Sequence, residues 1–163
     1  MVVVSVKVED FGNHMLQKIS ELENNSNITV NLFEKVLLAE TGTIEQVLSI
    51  LTNSEITVKI LKQKESTELI EREVNIINKK TGHKLVYAKS NIIISNLPVE
   101  IIDQIKRKGL GIGTILAGSE LETFKKIIEI GYNSRTKSVF RKYQIIYRAK
   151  VCIEIKEVFF QLK

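Results

Sequence analysis

Apolar residues recur at helical spacing through the first third of the chain and alternate with polar ones through much of the rest. Met15, Leu16, Ile19 and Leu22 share one helical stripe, and the polar run "ENNSN", Glu23 to Asn27, is expected to break it as a loop. "NLFEKVLLAETGTIEQVLSIL" predicts a helix near Leu32 to Ala39, a break at "ETGT", and a second helix. That second helix would bury Ile44, Val47, Leu48 and Leu51, with Thr43 as its N-cap. "ITVKILKQ", "LIEREVNII" and "KLVYAKSNIII" alternate as strands. The last two predict a β-hairpin around "NKKTGHK", where Gly82 suits a turn. "LPVEIIDQIKRKG" reads as a helix opened by Pro98, with Gly109 beyond its end. "LGIGTILAGSELETFKKIIEIG" fits both periods: Phe124, Ile127 and Ile128 suit a helix, while Phe124, Ile128 and Ile130 suit a strand. "YQIIYRAKVCIEIKEVFF" predicts two strands joined tightly around Ala149-Lys150. Helices first and hairpins later imply an α+β fold, an antiparallel sheet with helices packed against it.

Two of the strands carry a charge on the wrong face. Ile70, Arg72, Val74 and Ile76 point one way, and Val151, Ile153, Ile155, Glu157 and Phe159 share another apolar face. A charge buried alone costs several kcal/mol unless it is paired or neutralised. Arg72 cannot neutralise, so it needs an anion. One reading pairs Arg72 with Glu157 as a structural salt bridge, although such pairs seldom improve on apolar ones. The other is a pocket with two polar anchors on an apolar wall, Arg72 for a carboxylate and Glu157 for a hydroxyl or ether. A hairpin register with Ile77 opposite Lys84 would set Lys89 opposite Arg72, where two cations call for a bridging anion; a surface lysine is the alternative.

Composition narrows the classes. The chain has 163 residues, 44% hydrophobic and 26% charged, which suits one domain over 1–163. Net charge is +5, but the lysines are scattered and Trp is absent, so nucleic-acid binding is not expected. Cys152 is the only cysteine, which excludes an internal disulfide and fits a reducing cytoplasm. "MVVVSVKVED" lacks the basic start and long apolar run of a signal peptide, and no run is long enough for a membrane helix. "GLGIGT", Gly109 to Thr114, looks like a nucleotide loop but has the wrong glycine spacing and no preceding strand. It offers either a backbone N–H to an anion or a plain turn. His14 and His83 are the only histidines, each far from ligand spacing, so neither a metal site nor a nucleophile triad is expected.

Four blocks, in order, resemble the chorismate pyruvate-lyase family in its archaeal-type branch. "LLAETGTIEQVL" is similar to the family's paired helices and "EREVNIINKKTGHKLVYAKSNI" to its Arg-bearing hairpin. "LGIGTILAGSELETFKKIIEIG" resembles its Leu-Gly loop and the segment after it, and "YQIIYRAKVCIEIKEVFF" its closing hairpin. The resemblance runs from about Leu32 to Phe160 and leaves residues 1–31 outside.

It implies conversion of chorismate to 4-hydroxybenzoate and pyruvate with no metal or organic cofactor. By that resemblance Arg72 holds the ring carboxylate, helped by the backbone N–H of Ile112, and Glu157 meets the C4 hydroxyl. Lys89 stands where bacterial members have arginine, and Gly42 takes the place of a larger ligand-covering residue. Gly111-Ile112-Gly113 replaces the more usual Pro-Leu-Gly. A carboxylate on an apolar face such as Glu157 is also expected to hold a proton more readily. The fold further resembles the effector-sensing (UTRA-like) domain of some transcription regulators, which keeps a non-catalytic binder of aromatic or carboxylic acids as the alternative. Such regulators carry an N-terminal DNA-binding domain, and about thirty residues before the first matching block favour the enzyme.

Overall fold

The computed structural model describes residues 1–6 and 14–161. Seven strands form one antiparallel sheet: β1 (Val2–Ser5), β2 (Ile56–Glu65), β3 (Leu69–Asn78), β4 (Lys84–Ile93), β5 (Thr123–Asn133), β6 (Ser138–Tyr147) and β7 (Lys150–Phe159). Their order across the sheet is β1-β5-β6-β7-β4-β3-β2. Five helices accompany them among the described residues: α1 (His14–Ser26), α2 (Leu32–Ala39), α3 (Ile44–Thr52), α4 (Val99–Lys106) and α5 (Ile112–Gly118). The α+β architecture expected from the pattern is the one found. No helix among the described residues is long and apolar enough to cross a membrane.

Alternation gives β3 its burial without exception: Ile70, Arg72, Val74 and Ile76 are buried, their neighbours only partly so. These side chains, with Ala88, Ser90, Tyr143, Ile155 and Glu157, lie on the sheet face that the helices cover. The other face is mainly polar, with Lys89 and Glu154 exposed and Lys142 paired to Glu129, and Phe140 buried between Gly131 and Lys156.

Where local chemistry is explicit, the helices begin as expected. Asn31 caps α2 in a reciprocal capping box with Glu34. Thr43 stands at the N-cap position of α3 but makes no side-chain cap bond. Pro98 precedes α4 as anticipated. The "ENNSN" loop is not found: α1 continues through Ser26 and stops at Asn27, which takes a left-handed φ of 51°. Asparagine tolerates that conformation, so the polar run is a helix's last turn with its stop signal at the end. The ambiguous segment divides into α5 and β5, with Glu120 at φ 57° between them.

Bulges explain the strand misreadings. β5 shifts register between Ile127 and Glu129, so Ile127 and Ile130, three apart, are both buried and imitate helical spacing. β3 and β4 pair Ile77 with Lys84, as expected, but Ile76 with Val86. The extra residue changes the parity, so Arg72 faces Ser90 and Lys89 faces Glu73. The β6–β7 turn lies one residue earlier than predicted, at Arg148 and Ala149, both at positive φ (48° and 61°) as a tight two-residue hairpin requires.

Gly131 on β5 has no room for a side chain. A Cβ there would lie 2.2 Å from the ring of Phe140, directly opposite, and 2.7 Å from the Val2 carbonyl oxygen. Gly131→Ala is expected to cost about 1–3 kcal/mol in urea unfolding, with partial recovery when Phe140 is also shortened to Leu. An unchanged midpoint would mean that β1 does not sit so close to β5.

Candidate functional site

A cavity of about 290 Å³ lies between the covered sheet face and the α2–α3 connection, α3 and α5. That is the small end of ligand pockets, which run to roughly 300–1,000 Å³. Its lining is largely aliphatic, with Arg72 and Lys125 as cations and Glu45, Glu120 and Glu157 as carboxylates.

Arg72 is 1% exposed. Its Nε donates to Gln63 Oε1 at 2.9 Å, and its two terminal nitrogens to the carbonyls of Leu110 (2.8 Å) and Ile105 (2.6 Å). All three acceptors are neutral, and no carboxylate among the described residues pairs with it. Burial pulls its pKa below the ordinary value. The guanidinium is therefore oriented by fixed acceptors yet lacks a counter-charge, with N–H groups to spare.

Glu157, 2% exposed, has the opposite condition. Arg141, directly across on β6, donates its Nε to Oε2 at 2.7 Å, and the Tyr143 hydroxyl donates to Oε1 at 2.8 Å. The isolation assumed for this carboxylate in the sequence is not found, and neither is the Arg72–Glu157 salt bridge. Arg141 also donates to the Glu40 carbonyl at 2.7 Å and to Glu40 Oε1. Burial opposes its charge more than any single partner favours it, but Glu157, Tyr143 and Glu40 together outweigh burial and keep it more firmly protonated. Burial, then the charge of Glu157, pushes the Tyr143 hydroxyl well above its usual range, so it remains a donor.

Arg72 and Glu157 are separated by two strand steps and by two residues along the strands. That spacing sets them about 10 Å apart across the sheet and about 7 Å along it, with side chains converging on one cavity. Ile112, the first residue of α5, and Gly42, in the α2–α3 connection, also line it. No side chain caps α5, so its first backbone N–H groups lack helical partners. A Cβ at Gly42 would meet only Glu40 Oε2, at 3.8 Å. Lys89 is not brought to this cavity. It lies on the opposite face beside Lys62, Lys64, Glu71 and Glu73, because the β4 bulge reversed the expected parity.

Three further charged residues belong to the site: Arg141, Lys125 and Glu45. Arg141 carries the signal that revealed Arg72, since Val139, Arg141, Tyr143 and Ile145 alternate. Lys125 was hidden by the β5 bulge. Glu45 looked like an acidic residue in a helix's first turn, a common surface feature. Instead its Oε2 is buried without a hydrogen bond, and its carboxylate fills the space that glycine leaves at 111 and 113. A Cβ at those positions would come within 2.6 Å and 2.8 Å of its oxygens. Burial, with smaller contributions from Glu157 and Glu40, raises the Glu45 pKa against its own backbone N–H and Lys125. Cys152 is buried, its thiol pushed up to about 11 by burial and donating to the Ile145 carbonyl, which leaves it a packing residue. Among the described residues no three His, Cys, Asp or Glu side chains converge as a metal set.

Residues 34–163 match the family model described as "Chorismate pyruvate-lyase Rv2949c-like". A Mycobacterium tuberculosis protein named chorismate pyruvate-lyase is similar to this chain, 28% identical over 155 residues that cover 77% of this chain and 78% of the relative. The Mycobacterium leprae protein of the same name is 28% identical over 152 residues, covering 77% and 72%. A Methanocaldococcus jannaschii protein named "Putative lyase MJ0807" is 35% identical over 143 residues, 77% of each chain.

Two measurements test this geometry. Arg141→Met takes the counter-charge from Glu157 and leaves Glu40 with Lys125 alone, so urea unfolding should show a loss of about 3–5 kcal/mol. A loss under about 1 kcal/mol would mean the pair is solvated. For Glu45, a raised folded pKa means that the folded protein binds more protons than the unfolded one above the ordinary carboxylate value of 4.5. Its contribution is thus present at low pH and lost as pH rises through the raised value. Glu45→Gln should melt higher than the parent near neutrality and alike below the carboxylate range; parallel melting curves across that range would exclude Glu45 as the titrating group.

Proposed function

The chain belongs to the Rv2949c-like chorismate pyruvate-lyase family, and from that membership we propose that it is itself a chorismate lyase, releasing pyruvate and 4-hydroxybenzoate. The observation that carries this reading is Arg72, a buried cation lining the cavity and bonded only to neutral acceptors. A ring carboxylate supplies the missing charge and accepts from the guanidinium N–H groups that the three neutral acceptors leave unused. The Ile112 N–H assists it, and Gly42 leaves the cavity mouth open. At the other end Glu157 accepts from the C4 hydroxyl through lone pairs that Arg141 and Tyr143 do not use. Lys89, on the outer face, has no part in this arrangement.

The reaction asks little of covalent chemistry. The C3–O bond breaks with its electron pair on the enolpyruvate oxygen, and the electrons of the C4–H bond close the aromatic ring. The proton lost at C4 is matched by the one that enolpyruvate gains in becoming pyruvate. Holding the substrate with these bonds aligned supplies much of the acceleration. On this reading the task needs neither a metal nor an organic cofactor, and the single cysteine fits a reducing cytoplasmic setting.

Purified protein incubated with chorismate should form 4-hydroxybenzoate and pyruvate in equal amounts. Binding of 4-hydroxybenzoate without turnover would instead identify an effector-sensing module. Arg72→Ala should weaken 4-hydroxybenzoate by at least about a hundredfold, since it removes a desolvated ionic contact. If the variant folds and the acid still binds at parental strength, the carboxylate does not sit at Arg72.

A further inference from the structure

Chorismate is a dianion, and Arg72 accounts for one of its carboxylates. The second lies on the enolpyruvyl group, whose ether oxygen is at C3, next to the carbon that bears the hydroxyl. With the ring carboxylate at Arg72 and the hydroxyl at Glu157, that second carboxylate falls near the Glu157 end. A buried carboxylate left without a cation would cost several kcal/mol.

The cavity lining contains a second cation at that end. Lys125 projects from β5 before its bulge, opposite Ile145, onto the covered face. Its side chain is only 11% exposed. The ammonium donates to Glu40 Oε1 at 3.2 Å and lies 4.7 Å from the ring centre of Tyr143, whose hydroxyl holds Glu157. Glu40 is already bound by Arg141 through both its carbonyl and its carboxylate, so it does not depend on Lys125 for its counter-charge. The remaining ammonium donors make no hydrogen bond within the protein and are available to the cavity.

We infer that Lys125 binds the carboxylate of the departing enolpyruvyl group and so distinguishes chorismate from its monocarboxylate product. This inference rests on the reading of the cavity as a chorismate site. It adds a direction to the reaction cycle. Lys125 holds the substrate by its second charge and, as the C3–O bond breaks, lies beside the charge gathering on enolpyruvate. Once that fragment leaves, 4-hydroxybenzoate retains only the Arg72 and Glu157 contacts.

The test compares Lys125→Met and Lys125→Arg with the parent, using chorismate kinetics and the binding of two inert acids. One acid is 4-hydroxybenzoate; the other is 3-(carboxymethoxy)-4-hydroxybenzoate, which carries a second carboxylate on an ether at C3. The methionine variant should lose roughly ten- to a hundredfold in kcat/KM for chorismate and a similar factor for the dicarboxylate, the size of one charge-assisted hydrogen bond. Its affinity for 4-hydroxybenzoate should stay within about twofold of the parent, and the arginine variant should recover most of the loss. Equal weakening of both acids would assign Lys125 a structural role and overturn the inference, as would parental kinetics in the methionine variant. A parent that binds both acids but leaves chorismate intact refutes the lyase reading alone, and the dicarboxylate preference then still decides for or against Lys125. A parent that binds neither acid refutes both.

Discussion

One guanidinium organises this site. Arg141 faces Glu157 across the β6–β7 ladder and reaches out of the sheet to Glu40, where α2 ends. It therefore joins the register of the C-terminal hairpin to the connection that covers the cavity. Removing charges from water is costly, and the mutual attraction of buried charges compensates only while every partner stays in place. Glu157 cannot be held where a ligand would meet it unless Arg141 is there, and Arg141 requires Glu40. The position of the α2–α3 connection over the cavity follows from that requirement rather than from apolar packing alone.

The two ends of the cavity are electrostatically unlike. At one end Arg72 has orientation without a counter-charge; at the other Glu157 has both a counter-charge and a hydroxyl donor. On the proposed reading, an aromatic acid with a para hydroxyl would lie along this axis in one sense only. Reversed, its carboxylate would meet Glu157, a like charge in a low-dielectric site, and leave Arg72 facing a neutral group. Polarity would then fix the direction of the proposed ligand, and the aliphatic walls would contribute burial without direction.

Legibility from the sequence followed the regularity of the backbone. Pro98 located α4 because helix starts are local chemistry, whereas α2 was legible as an apolar run and its capping box of Asn31 with Glu34 emerged only in the structure. Arg72 and Glu157 stood out because alternation marks any charge that interrupts a buried face. Arg141 carried the same mark within "VFRKYQII" and was passed over beside the aromatic and aliphatic residues around it. Lys89 was assigned to the wrong face because one bulged residue reverses inside and outside for everything beyond it, and periodicity holds no record of a bulge. Glu45 had no signature at all: an acidic residue in a helix's first turn is ordinary, and only the absent side chains at Gly111 and Gly113 bring it into the cavity.

The bulges that obscured the pattern are also what the site requires of its strands. Before its bulge, β5 turns Lys125 and Ile127 toward the covered face; after it, Ile130 takes that face beside Val4. A strand of unbroken alternation that placed Lys125 inward would place Ile130 outward, in the polar layer, and give up its packing on β1. The extra residue lets one strand serve the cavity with a cation at one end and the apolar core at the other. The β4 bulge works in the same way, keeping Leu85 and Val86 both buried near the hairpin while Ala88 and Ser90 line the floor between Glu157 and Arg72. Small residues at those two positions leave volume between the charged ends. The cavity therefore exists because short side chains fall on the strand that separates two long charged ones, and the bulge sets which residues those are.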